Sequence, residues 1–247
     1  MFFPYRDDNP RVLIPYVTYT LVAANIFIFM YQFMVSLEQG PLAGFAITIN
    51  YGLIPAMLTS IPIEQIIAFN TDHILNNLKA SPDLVFRPNS PLITVFTSMF
   101  LHGGFMHIIG NMWFLWLFGD NVEGTMGHKR FAVFYVLSGL GAAATQIAFD
   151  VTSMVPMIGA SGAVSGVLAA YMFRFPRARI HVFFFIFIFF TTIQVPAFVV
   201  IGFWFFEQLT NGLGAIGLDT SGGVAWFAHI GGFITGLALE RFYRYSH

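Results

Sequence analysis

Several runs of this chain are apolar, free of charge and as long as a bilayer is thick. Val12 to Leu37 is one such run, and Val151 to Phe173 and Val182 to Phe206 are others. A hydrocarbon core of ~30 Å takes about 20 helical residues, so each run is a candidate span. The overall balance agrees, with 57% hydrophobic residues, 9% charged residues and 31 phenylalanines in 247 residues. In lipid every backbone polar group must be satisfied internally, and the runs show no alternating polarity, which favours helices over a barrel. The expected class is therefore all-α, a multi-pass integral membrane protein whose residues 1–247 form a single domain in contact with the lipid bilayer.

Six helices are expected, at roughly 12–37, 104–119, 131–149, 160–173, 182–206 and 222–240. Segment 38–103 is different, being interrupted by Pro41, Pro55, Pro62, Pro82, Pro88 and Pro91. Prolines at that density forbid one long helix, so short interfacial pieces are expected there. The first run is too long for a signal-peptide core and no small-residue cleavage pattern follows it, so it reads as a retained helix.

Placement of basic residues sets the direction. In a six-span arrangement Arg6, Arg11, Lys129, Arg130, Arg174, Arg177, Arg179, Arg241 and Arg244 share one side, and only Lys79 and Arg87 take the other. Both termini are then cytoplasmic and 38–103 is a long outer loop. The same arrangement puts Ser161 and His107 about 20 Å, His229 about 17 Å and Asn111 about 14 Å above the cytoplasmic boundary, at ~1.5 Å per residue. Four polar side chains from three helices thus share one layer. Ionisable groups are costly inside a membrane, and that makes the layer a functional candidate.

Ser161 lies in Gly159-Ala160-Ser161-Gly162. A serine hydroxyl needs a base, and His229 is the base left on another helix once His107 is set aside. No carboxylate shares the layer, since Asp150 and Asp219 fall at outer loop ends and Asp120 and Glu123 are cytoplasmic. The expected machinery is therefore a Ser-His dyad, with the histidine oriented by packing or hydroxyls. The oxyanion formed on attack needs donors. His107 and Asn111, at i and i+4, share one helix face and supply them, helped by the helix N-terminus at Ser161. Gly159 and Gly162 remove bulk where substrate backbone approaches.

Each motif also has a plainer explanation. Gly-x-Ser-Gly is common as small-residue packing in membrane helices, and Gly232 and Gly236 form a Gly-x-x-x-Gly packing face. It is the coincidence in depth that favours a site. Glu123, between Gly119 and Gly127, reads as an anchor for loop backbone. His73, His128, His181 and His247 read as solvated surface. His102 has the wrong spacing from His107 for one helix face, and the sequence carries no zinc-type ligand pattern, so no metal is expected.

Gly159-Ala160-Ser161-Gly162, His107-x-x-x-Asn111, Gly119-x-x-x-Glu123-x-x-x-Gly127 and Ala228-His229-x-Gly231-Gly232-x-x-x-Gly236 together resemble the rhomboid intramembrane serine proteases. They occur in that family's order over about residues 10 to 243. The resemblance implies Ser161 as nucleophile, His229 as general base, and His107 and Asn111 as oxyanion-hole donors. It further implies a six-helix bundle, a water-filled cavity opening outward, and cleavage of transmembrane protein substrates near their outer ends without metal or cofactor. Two features depart from it. The Trp-Arg pair that many members carry in the first outer loop is absent between Glu38 and Ser90. Ser165 stands where many have an aromatic residue against the histidine.

The function expected is hydrolysis of peptide bonds in or near transmembrane segments. The alternative is a catalytically silent relative that binds membrane helices, which would usually lack the serine or the histidine. A transporter is disfavoured because no inverted repeat is evident. With no basic tract, nucleic acid is not an expected partner, and a bacterial or archaeal plasma membrane is the expected location. The segment from Leu213 to Gly223, rich in glycine, is the expected cover of the cavity.

Overall fold

The computed structural model describes residues 2–75, 88–186, 189–215 and 224–245. They form a mostly helical bundle in which α1 is Tyr16–Gln39, α2 Pro41–Tyr51, α3 Ile63–Leu75, α4 Pro91–Thr97, α5 Phe105–Met126, α6 His128–Phe149, α7 Ser161–Arg174, α8 Ala197–Ala215 and α9 Trp226–Tyr245. Glycine ends two of the long helices. Gly40 (φ 93°) and Gly127 (φ 77°) take the left-handed region, where a Cβ is disfavoured, and the next helix begins at the following residue.

The expected helix 182–206 is not formed, and the chain is not all-α. In its place β2 (Arg179–Ile186) and β3 (Phe189–Pro196) make an antiparallel hairpin, and the helix starts only at Ala197. β1 (Phe2–Asp7) pairs antiparallel with β2, giving a three-stranded sheet of order β1-β2-β3. Burial alternates along β2, with Ile180 and Val182 fully buried and Arg179 and Phe183 facing outward. From Val182 onward several outward positions are also apolar, among them Phe183, Phe190 and Ile193, so the period of two is hidden in a run that reads as hydrophobic. The sheet lies against α5, where Trp113 Nε1 donates to Pro4 O at 2.7 Å and the ring packs on Phe3.

Segment 38–103 forms short pieces, as its prolines require. Pro41, Pro55 and Pro91 each stand at the start of a piece, including a 3-10 turn at Pro55–Leu58, where a missing N–H costs no helical bond. Residues 76–87, including Lys79 and Arg87, lie outside the described residues.

α7 is the centre of the bundle. Every residue from Gly162 to Tyr171 is buried, against α5, α6, α8 and α9. α9 comes close because its Gly232 and Gly236 lie directly on the backbone of Gly162 and Gly166, with no space for a Cβ. At one end of the bundle Glu123 accepts from Val17 N (2.9 Å), Thr18 N (2.8 Å) and Thr18 Oγ1 (2.7 Å), and meets His128 Nδ1 at 2.6 Å. It is an anchor, but for the first turn of α1 rather than a loop. Arg174 pairs with buried Glu240 and Arg11 with Asp120 at the same end.

Among the described residues α1 and α6 are each long and apolar enough to cross a membrane. Pro91–Phe100 with Phe105–Met126, bent by 82°, makes a third if counted as one span. α1 turns Phe27, Met30, Tyr31 and Met34 outward, a surface suited to lipid rather than water.

Candidate active site

Ser161 is the first residue of α7, presented by a loop that residues of segment 38–103 hold in place. Leu53 and Met157 exchange both backbone hydrogen bonds (3.1 and 2.8 Å), and Gly159 N donates to Ser98 O at 2.8 Å. Gly159 has φ 120°, a conformation other residues rarely adopt, and this turns the chain into the helix. The α7 ladder opens with Val164 N donating to Ala160 O, so the amides of the first turn have no carbonyl within the helix. The positive end of the helix dipole falls at the serine.

His229 sits in the first turn of α9. Its Nε2 lies 2.7 Å from Ser161 Oγ, across two helices that only the glycine contacts allow to approach so closely. On the other side of the ring, Nδ1 lies 2.7 Å from Oε1 of Gln208 on α8. Trp204, one turn earlier on α8, flanks the imidazole with centroids 6.0 Å apart, and Trp226 meets it edge-on at 6.2 Å. The Ser165 hydroxyl donates to Ser161 O at 2.6 Å, and the tryptophans occupy the histidine's flanks instead.

His107 and Asn111 stand one turn apart on α5 and face the same point. A Cβ built on Gly159 would lie 2.7 Å from His107 Nε2 and 3.6 Å from Asn111 Nδ2. Gly103 N donates to His107 Nδ1 at 3.4 Å, which leaves the proton on Nε2, toward Gly159. Asn111 Nδ2 lies 3.0 Å from Nε2 of buried His102. All four polar residues of the expected layer line one cavity of about 1240 Å³. Gly162 faces Ala142 of α6, so its lack of a side chain is accounted for by helix packing.

Sequence reasoning missed three residues of this site: Gln208, Trp204 as a neighbour of the histidine, and His102. The signal for Gln208 lay in the missed hairpin. A helix that starts at Ala197 instead of Val182 carries Gln208 near its middle as a buried polar side chain. His102 precedes α5 and reaches Asn111 from the bend, so helical spacing from His107 carries no signal for it. Two other histidines expected to be solvated meet carboxylates, His128 with Glu123 and His181 with Asp8 at 2.7 Å. His247 and the side chain of His73 lie outside the described residues. Of the expected cover, Leu213 to Ala215 complete α8, and Ile216 to Gly223 lie outside the described residues.

This arrangement is fitted to acyl transfer: a hydroxyl beside a basic nitrogen, with two side-chain donors and a helix N-terminus around the place where an oxyanion would form. Residues 89–246 match the family model described as Rhomboid domain. RHOMBOID-like protein 4 of Arabidopsis thaliana is 31% identical over 140 residues, 56% of this chain and 31% of that protein. RHOMBOID-like protein 5 of the same plant is 38% identical over 74 residues, 30% of this chain and 24% of that protein. Rhomboid protein 1, mitochondrial, of Saccharomyces cerevisiae is 32% identical over 97 residues, 38% and 28% of the two chains. The chain spans about a quarter to a third of the length of these relatives. Plant and mitochondrial relatives are at odds with the bacterial or archaeal plasma membrane expected above, and that expectation is withdrawn.

Proposed function

We propose that this chain, which belongs to the rhomboid family, is an intramembrane serine endopeptidase that cleaves transmembrane protein substrates. The observation that carries the proposal is the 2.7 Å approach of His229 Nε2 to Ser161 Oγ inside a cavity that also holds His107 and Asn111. Ser161 Oγ attacks the scissile carbonyl carbon while its proton passes to His229 Nε2. The carbonyl π pair becomes an oxyanion, which His107 Nε2, Asn111 Nδ2 and first-turn amides of α7 receive. The protonated His229 then gives the proton to the leaving amine, and water releases the acyl group by the same steps in reverse roles.

The working topology is six spans, formed by α1, α5, α6, α7, α8 and α9, in one domain with both termini cytoplasmic. Arg11 and Arg174, paired with carboxylates at the end of the bundle opposite Ser161, support it. Water reaches the serine from the outer side, and the substrate helix unwinds locally there so that its peptide bond is accessible.

The test is covalent labelling by a fluorophosphonate probe of the full chain in detergent, with Ser161→Ala and His229→Ala as controls. Labelling of wild type, absent in both variants, is expected, together with loss of cleavage of a helical membrane substrate. A folded Ser161→Ala variant that still cleaves would rule the dyad out. A wild type that takes no label but retains membrane helices on pull-down would favour a silent binder.

A further inference from the structure

Gln208 lies on α8, is 6% exposed, and makes two hydrogen bonds that together determine which end of its amide faces the site. Its Nε2 donates to the backbone carbonyl of Trp204 at 3.3 Å, and its Oε1 lies 2.7 Å from His229 Nδ1. Were the amide reversed, its oxygen would face the Trp204 carbonyl oxygen, an acceptor against an acceptor. With the oxygen toward His229, the amide can only accept, so the imidazole must carry its proton on Nδ1. The lone pair is then on Nε2, aimed at the hydroxyl of Ser161 2.7 Å away.

We propose that Gln208 is the third member of the catalytic relay, a positioning residue that holds His229 in the tautomer and rotamer needed to take the proton of Ser161. The proposal rests on the reading of Ser161 and His229 as nucleophile and base. In the attack step the Ser161 O–H bond breaks and its proton forms a bond to His229 Nε2. The Nδ1–H bond remains intact, hydrogen-bonded to Gln208 Oε1. A carboxylate in this place would also stabilise the imidazolium by charge, whereas an amide supplies direction alone. Packing does not replace it, because Trp204 and Trp226 confine the ring but do not distinguish its two nitrogens. Since acceptor and flanking ring both come from α8, the orientation of the base depends on where α8 stands.

The experiment compares wild type, Gln208→Met and Gln208→Glu as full chains in detergent, by rate of fluorophosphonate labelling and by kcat and KM on a membrane substrate. Met matches the volume of glutamine but offers no oxygen, and kcat should fall about tenfold or more with KM little changed. Glu restores an acceptor and adds charge, so it should be faster than Met, with the acid limb of its kcat profile moved to higher pH. A side chain that only filled space would give the reverse order, with Met active and Glu impaired, and that result overturns the proposal. A readout independent of how either variant folds is the 15N spectrum of histidine-labelled wild type, with the His229 signal assigned by its loss in His229→Ala. The Nδ1–H tautomer is expected, and the Nε2–H tautomer overturns the proposal. If wild type is labelled at Ser161 and Met is equally fast, this inference fails alone. If wild type takes no label and cleaves nothing, the catalytic reading fails and this inference with it.

Discussion

Gly232 of α9 rests directly on the carbonyl oxygen of Gly162, the residue after the candidate nucleophile, so that a Cβ on Gly232 would overlap that backbone atom. His229 lies one turn earlier on the same helix. The distance between base and hydroxyl is therefore set by a backbone contact between glycines, not by the reacting residues themselves.

Gly232→Ala should accordingly push α9 away from α7. Overpacking a tight contact costs about 1–3 kcal/mol, and here the displaced partner is backbone, which yields less than a side chain. Thermal unfolding in detergent should begin at lower temperature, and Ser161 labelling should slow beyond what loss of folded protein explains. Unchanged labelling by Gly232→Ala would mean that the contact does not set the dyad.

Asn111→Ala should leave a slow enzyme rather than a dead one, because it removes a donor and not the nucleophile. Loss of one oxyanion donor typically lowers turnover by about 10²- to 10³-fold. The change also strips His102 Nε2 of its partner, so some loss of stability should accompany it. Single-turnover cleavage at wild-type rate would show that the oxyanion forms elsewhere.

Glu123→Ala tests the far end of the bundle. It leaves Val17 N, Thr18 N and Thr18 Oγ1 without their acceptor. A buried unsatisfied donor costs about 1–3 kcal/mol, so the melting temperature should drop clearly, and less for Glu123→Gln, which keeps an acceptor oxygen. Labelling of Ser161 at low temperature should persist, since the change lies about 18 Å along α5 from Asn111. A melting temperature equal to wild type would contradict the anchor.

Asp7 gives a pH signature. Burial raises its carboxyl to about 6 from its ordinary 3.8, with the nearby Asp120 adding to the rise, although the Tyr171 hydroxyl at 2.5 Å opposes it. An acid that is weaker when folded binds its proton more tightly in the folded state. Its penalty is therefore absent below about 4, grows as pH rises through about 6, and is constant above that. Relative to Asp7→Asn, wild type should gain melting temperature as pH is lowered from 7 to 4. A difference that stays flat over this range would show that Asp7 is not buried as a charge.

The sequence alone determined that the chain is a helical membrane protein, and which four polar residues meet, because both conclusions depend on features local in the chain. Uncharged length selects lipid, and the rise per residue turns sequence position into depth. Ser161, His107, Asn111 and His229 could be aligned by counting along helices that begin and end near charges. Counting failed between Val182 and Phe206, where apolar residues on both faces of a strand imitate a buried helix. That single error displaced α8 and hid Gln208, whose role depends on an approach across 21 residues. His102 escaped for the related reason that it reaches Asn111 from a bend, outside any helical period. What only the tertiary structure decided is how the histidine is held: which nitrogen faces the serine follows from an amide on a third helix, and no spacing along the chain records that contact.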